Sequence, residues 1–188
     1  MFRSGHNFVL QNVLSWLEDS DRYVHHNLEN IQPSKLMPNH LKYPGYKLLI
    51  YRDFDDWLAS VIQKCYKTRP TRQWEDIPKF IDKVCQWYWE VRKESDNKGY
   101  YKNWVVIRYD TFVESEKYRR EICDLLEGTY SEEKLEFVPA NGGHSSFDGK
   151  KFQGGGTKMN VLNRADDIMH TEHRELFLKS MEKHDKQI

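Results

Sequence analysis

The run Arg3-Ser4-Gly5-His6-Asn7 stands directly before an amphipathic helical pattern. Free N–H groups at a helix start, together with the helix dipole, attract phosphate or sulfate. Ser4 and Gly5 let the backbone approach such an anion closely. Arg3 is suited to pair with its oxygens, and His6 and Asn7 can donate to them. The Gly-Lys-Ser/Thr ending of a phosphate loop is absent. A second constellation is YRDFDDWLAS, in which Arg52 closes an apolar run and Ser60 lies roughly two helical turns further on. An Arg and a Ser converging in this way could grip a second phosphate. Asp55 and Asp56 fall in the first turn of the intervening helix, where carboxylates suit the dipole. His25 and His26 are candidate general bases near neutral pH, and Glu29 is a carboxylate alternative. In the Gly-, Ser- and Lys-rich stretch 144–158, Lys150, Lys151 and Lys158 could fold over a phosphate.

These residues need elements to position them. Phe8, Val9, Leu10, Val13, Leu14 and Leu17 recur at helical spacing and predict a helix over 8–17. YVHHNL predicts a short strand, and the proline-containing segment 31–46 a loop. YKLLIYR, 46–52, follows Pro-Gly and fits a buried parallel strand, with a helix after it over 55–66. A long helix is expected over 77–94, with Phe80, Ile81, Val84, Trp87, Tyr88 and Val91 facing inward. NWVVIRYD, 103–110, is the next strand, then a helix over 113–126 stopped at Gly128. SEEKLEFV predicts a short helix and 171–184 a final one. Strand–helix alternation of this kind implies a parallel sheet covered by helices. Ligands of such sheets sit beyond the carboxyl ends of the strands. Those ends carry Arg3 to Asn7, Arg52-Asp53 and Tyr109-Asp110.

Composition narrows the function classes. The 188 residues suit one α/β domain over 1–188. Lys plus Arg and Asp plus Glu number 29 each, which argues against a bulk nucleic-acid binder. Cys65, Cys85 and Cys123 form no closely spaced pair, so neither a disulfide framework nor a zinc site is suggested. Buried free thiols in a reducing compartment are expected instead. No segment approaches ~18 apolar residues and no signal-peptide core is present, so a soluble, cytoplasmic protein is expected.

Taken together, the constellations resemble the sulfotransferases that use 3′-phosphoadenosine 5′-phosphosulfate. Arg3-Ser4-Gly5-His6-Asn7-Phe8 matches that family's Lys/Arg-Ser-Gly-Thr-Thr-Trp loop, which binds the 5′-phosphosulfate. Arg52 to Ser60 matches its Arg-x-Pro-x-Asp-x-x-x-Ser motif, which grips the 3′-phosphate, with Phe54 in place of Pro. The block from Val105 resembles the family's strand ending in Tyr-Glu-Asp-Leu, and Ser145 to Lys158 resembles its late loop over the 3′-phosphate. His6-Asn7 replaces two threonines, and the family's Lys-Thr-His base segment has no recognisable counterpart. The resemblance implies a three-layer α/β sandwich with a central parallel sheet, like that of P-loop NTPases. It implies sulfuryl transfer from this nucleotide co-substrate, without a metal, to a hydroxyl or amine of a small-molecule or glycan acceptor. Arg3 would stabilise the developing charge, and His25, His26 or Glu29 would take the acceptor proton. Arg52 and Ser60 would hold the 3′-phosphate, and Phe8 and Tyr109 would flank the adenine.

Two rivals come from other classes. A P-loop kinase would need the missing Gly-Lys-Ser/Thr ending to hold Mg²⁺. A non-catalytic module binding a nucleotide or glycan is compatible with His6-Asn7 and the absent base segment.

Overall fold

Apolar spacing at helical and strand periods sets out most of the elements seen in a computed structural model, which describes residues 6–17, 46–68, 76–96, 104–133, 135 and 162–185. The chain is mixed α/β and, among the described residues, mostly helical, with a two-stranded parallel sheet. Helix α1 spans His6–Trp16, strand β1 Lys47–Tyr51, helix α2 Phe54–Thr68 and helix α3 Ile77–Asp96. Strand β2 spans Trp104–Arg108, followed by α4 (Tyr109–Glu114), α5 (Glu116–Leu125), α6 (Arg164–Ile168) and α7 (Arg174–His184).

The register pairs Lys47 with Trp104 and Tyr51 with Arg108, so both strands end at the same level. Arg52-Asp53 and Tyr109-Asp110 therefore leave the sheet side by side. Strand β2 alternates in burial. Ile50, Val105 and Ile107 are buried with Val9, Val13 and Trp16 of α1 and with Phe112, Ile122 and Cys123 of α4 and α5. A second core joins α2, α3, α6 and α7 through Trp57, Leu58, Ile62, Ile81, Cys85, Ile168 and Phe177. All three cysteines are free and buried. Among the described residues, no helix is long and apolar enough to cross a membrane.

Several expectations are corrected. The strand ends at Arg108, and Tyr109 and Asp110 already belong to a helix. The single helix expected over 113–126 is two helices broken at Ser115, which is extended (φ −112°, ψ 109°) and accepts a bond from the Tyr118 N–H as the α5 N-cap. Arg119 secures the break by donating to the Phe112 and Val113 carbonyls at the end of α4. Gly128 does not supply the left-handed stop; Glu127 does, at φ 57°. Glycine is needed at 128 for proximity, because a Cβ there would lie 2.9 Å from the Trp16 carbonyl oxygen. Of the short helix expected in SEEKLEFV, the described residues form only a turn, closed by the Leu135 N–H on the Glu132 carbonyl. Helix α6 has no signature in the sequence, since its five residues are too few to show a period. The final helix begins at Arg174 rather than 171, because Thr171 Oγ1 accepts from the His173 N–H in a preceding turn. The strand expected in YVHHNL and the loop over 31–45 lie outside the described residues.

Candidate functional site

The aligned ends of β1 and β2 gather one buried polar cluster. Arg52 leaves β1 and turns its guanidinium inward, where it is 5 % exposed. Its Nη1 donates to Ser60 Oγ at 3.2 Å, so the Arg and Ser of the second constellation meet. The turn from β1 into α2 brings this about: α2 starts at Phe54, and Ser60 comes round to the face toward Arg52.

Two carboxylates share the same guanidinium. Arg52 Nη2 lies 3.2 Å from Asp56 Oδ2, and Nε lies 3.3 Å from Asp110 Oδ1. Asp56 was expected only to favour the helix dipole. It does more, since its Oδ1 accepts the Ala165 N–H at 2.8 Å and ties α6 to α2. Asp110 Oδ2 accepts the Asp53 N–H at 2.7 Å and so fixes the turn after β1 from across the sheet. Ser60 Oγ also donates to the Asp56 carbonyl, and the Tyr88 hydroxyl of α3 donates to the Arg52 carbonyl at 2.6 Å.

Near the surface, Arg108 binds Asp53 with contacts of 2.8 and 2.9 Å from Nη2. That pair is about half exposed, so it adds at most about 1 kcal/mol. The cluster of Arg52, Arg108, Asp53, Asp56 and Asp110 thus carries one more negative than positive charge when all are ionised. Burial pushes the Asp110 carboxyl above the usual range, and the bond from the Asp53 N–H and the charge of Arg52 only partly offset this. Burial likewise raises the Tyr88 hydroxyl, which stays protonated as a donor. The hydrogen bonds that Arg108 donates to Asp53 raise the Arg108 guanidinium.

Phe8 of α1 and Tyr109 of α4 lie beside the second constellation. Phe8, in the first turn of α1, rests edge-to-face on Tyr109 with ring centroids 6.1 Å apart. Tyr109 is buried and has the Arg52 guanidinium 5.4 Å from its ring centre. Phe8, Tyr109, Arg52 and Ser60 are therefore neighbours. The two rings touch each other, and this arrangement leaves no gap between them for a base. His6 and Asn7 open α1, and only their backbone is described. Arg3, Ser4, Gly5, His25, His26, Glu29, Lys150, Lys151 and Lys158 lie outside the described residues. Among the described residues, no group of His, Cys, Asp and Glu could hold a metal ion.

Tyr88 belongs to the second core, and Trp87 and Trp89 pack against it. Tyr88 contacts Phe54 and Trp57, and Trp89 lies on Phe54 at 5.0 Å. A separate concavity of about 330 Å³ lies one to two turns along α2 from Ser60, lined by Gln63, Tyr66, Lys67, Glu172 and His173. Tyr66 and His173 stack there at 3.9 Å, and burial lowers the His173 imidazole toward its neutral form.

In the sequence Asp110 stands only as a polar residue at a strand end and Asp56 only as a first-turn carboxylate, and neither position by itself shows the bond to Arg52. The spacing of Asp56 four residues after Arg52 was a usable ion-pair signal. Asp110 reaches Arg52 only through the register of the strands. No family model, curated protein or solved structure matches the chain.

Proposed function

We propose that the chain is a sulfotransferase that moves the sulfuryl group of 3′-phosphoadenosine 5′-phosphosulfate to a hydroxyl or amine of a small-molecule or glycan acceptor. The observation that carries this reading is the convergence of Arg52 and Ser60, 3.2 Å apart, at the carboxyl end of a parallel strand. That is where α/β sheets bind ligands, and the pair is the one the sulfotransferase motif assigns to the 3′-phosphate. The contact of Phe8 with Tyr109 supports it further by bringing the start of α1 to the same strand ends. The start of a helix favours an anion through its free N–H groups and dipole. The finer fold in this reading is a three-layer sandwich of the P-loop NTPase kind, extending the two described strands.

In this reading Arg52 and Ser60 hold the 3′-phosphate, and Tyr109 and Phe8 bound the nucleoside end. Arg3 and the Ser4-Gly5-His6-Asn7 backbone hold the sulfate end, with His25, His26 or Glu29 as the base. Lys150, Lys151 and Lys158 close over the phosphates. The acceptor oxygen or nitrogen attacks sulfur in line, the bond from sulfur to the bridging oxygen breaks, and the base takes the acceptor proton. Positioned cations and N–H donors stabilise charge on the leaving phosphate oxygen. The buried free thiols favour a reducing compartment such as the cytoplasm. Balanced charge favours a small-molecule or glycan partner over nucleic acid.

Calorimetric titration with adenosine 3′,5′-bisphosphate and with adenosine 5′-phosphate tests the donor site. The bisphosphate binds more tightly, and Ser60→Ala weakens it about tenfold through one lost bond to a charged group. Equal affinity for the two nucleotides would remove the 3′-phosphate site. Transfer of radiolabelled sulfate to a panel of acceptors then separates an enzyme from a non-catalytic binder.

A further inference from the structure

We infer that a phosphate reaching Arg52 takes the place of the Asp110 carboxylate, and that Asp110 takes up a proton as it does so. This rests on the donor-site reading above. The burial of Arg52 among its partners favours the exchange. Nε, Nη1 and Nη2 of Arg52 are each engaged, with Asp110, Ser60 and Asp56 respectively. Arg52 is 5 % exposed, so a phosphate reaches the guanidinium by moving a group that covers it, and these three partners are the groups bonded to it.

Asp110 is the partner that changes charge. Its Nε contact, at 3.3 Å, is the longest of the three, and its other oxygen is held at 2.7 Å by the Asp53 N–H. It sits at the second position of α4, directly after β2, so it stays in place when its Arg52 contact is lost. The groups facing it are Arg52 from the end of β1, Asp53 from the turn, Asp56 from α2, Tyr88 from α3 and Arg108 from β2. Asp53 is already paired with Arg108, and Tyr88 is a neutral donor to the Arg52 carbonyl. With Arg52 turned to a phosphate dianion, the Asp110 carboxylate would be 7 % exposed beside that dianion and Asp56. Like charges and burial together favour its neutral form. A solvent proton on Oδ1 removes the repulsion, and the resulting O–H donates to a phosphate oxygen. Oδ2 keeps the Asp53 N–H, and no covalent bond other than O–H changes.

Asp110 is thus a specificity-determining group. It admits an anion strong enough to replace a carboxylate, a phosphomonoester dianion, and disfavours weaker ones. Asp110→Asn mimics the protonated state: the amide oxygen accepts from Asp53, and the amide N–H donates to phosphate.

The test is calorimetry with adenosine 3′,5′-bisphosphate in two buffers of different ionisation enthalpy, between about pH 6.5 and 8.5, above the second phosphate pKa of about 6. Wild type is expected to take up ~1 proton per bound nucleotide and to lose about tenfold in affinity per pH unit. Asp110→Asn is expected to abolish the uptake, flatten the pH profile and bind about tenfold more tightly at pH 8. Asp56→Asn is expected to retain the uptake. No proton uptake by wild type overturns the inference without any variant. So does uptake that Asp56→Asn removes and Asp110→Asn leaves. If wild type binds the bisphosphate no better than adenosine 5′-phosphate, the donor-site reading has failed as well. Preference for the bisphosphate without proton uptake sinks this inference alone.

Discussion

Replacing Arg52 by methionine keeps most of the side-chain volume and removes the charge that Asp56 and Asp110 share. Those carboxylates are only 12 % and 9 % exposed, so the variant leaves two buried negative charges without their cation. Breaking a buried ion pair from one side costs about 3–5 kcal/mol. In a domain of this size that lowers the melting temperature by roughly 6–20 °C. Ser60 does not add to the loss, because its hydroxyl still donates to the Asp56 carbonyl. The penalty depends on pH with a definite sign. Asp110 already has a raised folded pKa from burial, and losing Arg52 raises it further. A raised carboxylate contributes stability that is fully present below its unfolded pKa and lost as pH rises through its folded pKa. The gap between variant and wild type is therefore widest near neutrality. It narrows as pH falls toward the ordinary Asp value of about 3.9. Urea unfolding at a series of pH values measures this, and adding Asp110→Asn to Arg52→Met should recover part of the loss at pH 7. A loss under about 1 kcal/mol at pH 7, or one that grows on acidification, would refute the account of a shared buried cation.

Other expectations follow from single contacts. Gly128→Ala should cost about 1–3 kcal/mol in urea unfolding, since its Cβ meets the Trp16 carbonyl oxygen at 2.9 Å. Ser115→Ala removes the α5 cap and should cost about 1 kcal/mol by the same assay, with Ser115→Asp recovering most of it. Burial alone would raise Asp82, but hydrogen bonds from Lys183 and His184 hold its carboxyl below the usual range. Its contribution is present above the unfolded pKa and disappears as pH falls through the folded one, so Asp82→Asn should flatten the acid limb of a melting-temperature profile. Burial pushes the Cys85 thiol up to about 12, and Cys65 and Cys123 are buried too. A thiol reagent should label none of the three quickly in the native state and all of them in denaturant.

The elements legible in the sequence were those whose apolar residues repeat over two turns or more. Helices α1, α2 and α3 and both strands lie within a few residues of where spacing put them. What escaped was set by contacts distant in the chain. Ser115 breaks a helix that local propensity would continue, and the break is held by Arg119 reaching back to Phe112 and Val113. Helix α6 has too few residues for a period and is fastened through the Ala165 N–H on Asp56. At the site, the Arg52–Ser60 meeting was readable because helix geometry fixes it within one short stretch. That Asp110 shares the guanidinium depends on the pairing of Tyr51 with Arg108, which no local pattern reports.

The seating of α1 has a consequence for how the chain is made. The Trp16 indole N–H donates to the Ser131 carbonyl at 2.7 Å, and the Trp16 carbonyl accepts the Thr129 N–H at 2.7 Å. These bonds join residues 115 positions apart in the first case. At ribosomal rates of about 5–20 residues per second, Trp16 waits on the order of ten seconds for its partner to be synthesised. Throughout that interval Val9, Val13 and Trp16 lack β2, α4 and α5, the elements that bury them. The nascent α1 is thus an exposed apolar segment throughout that interval, a natural target for a chaperone that binds such faces.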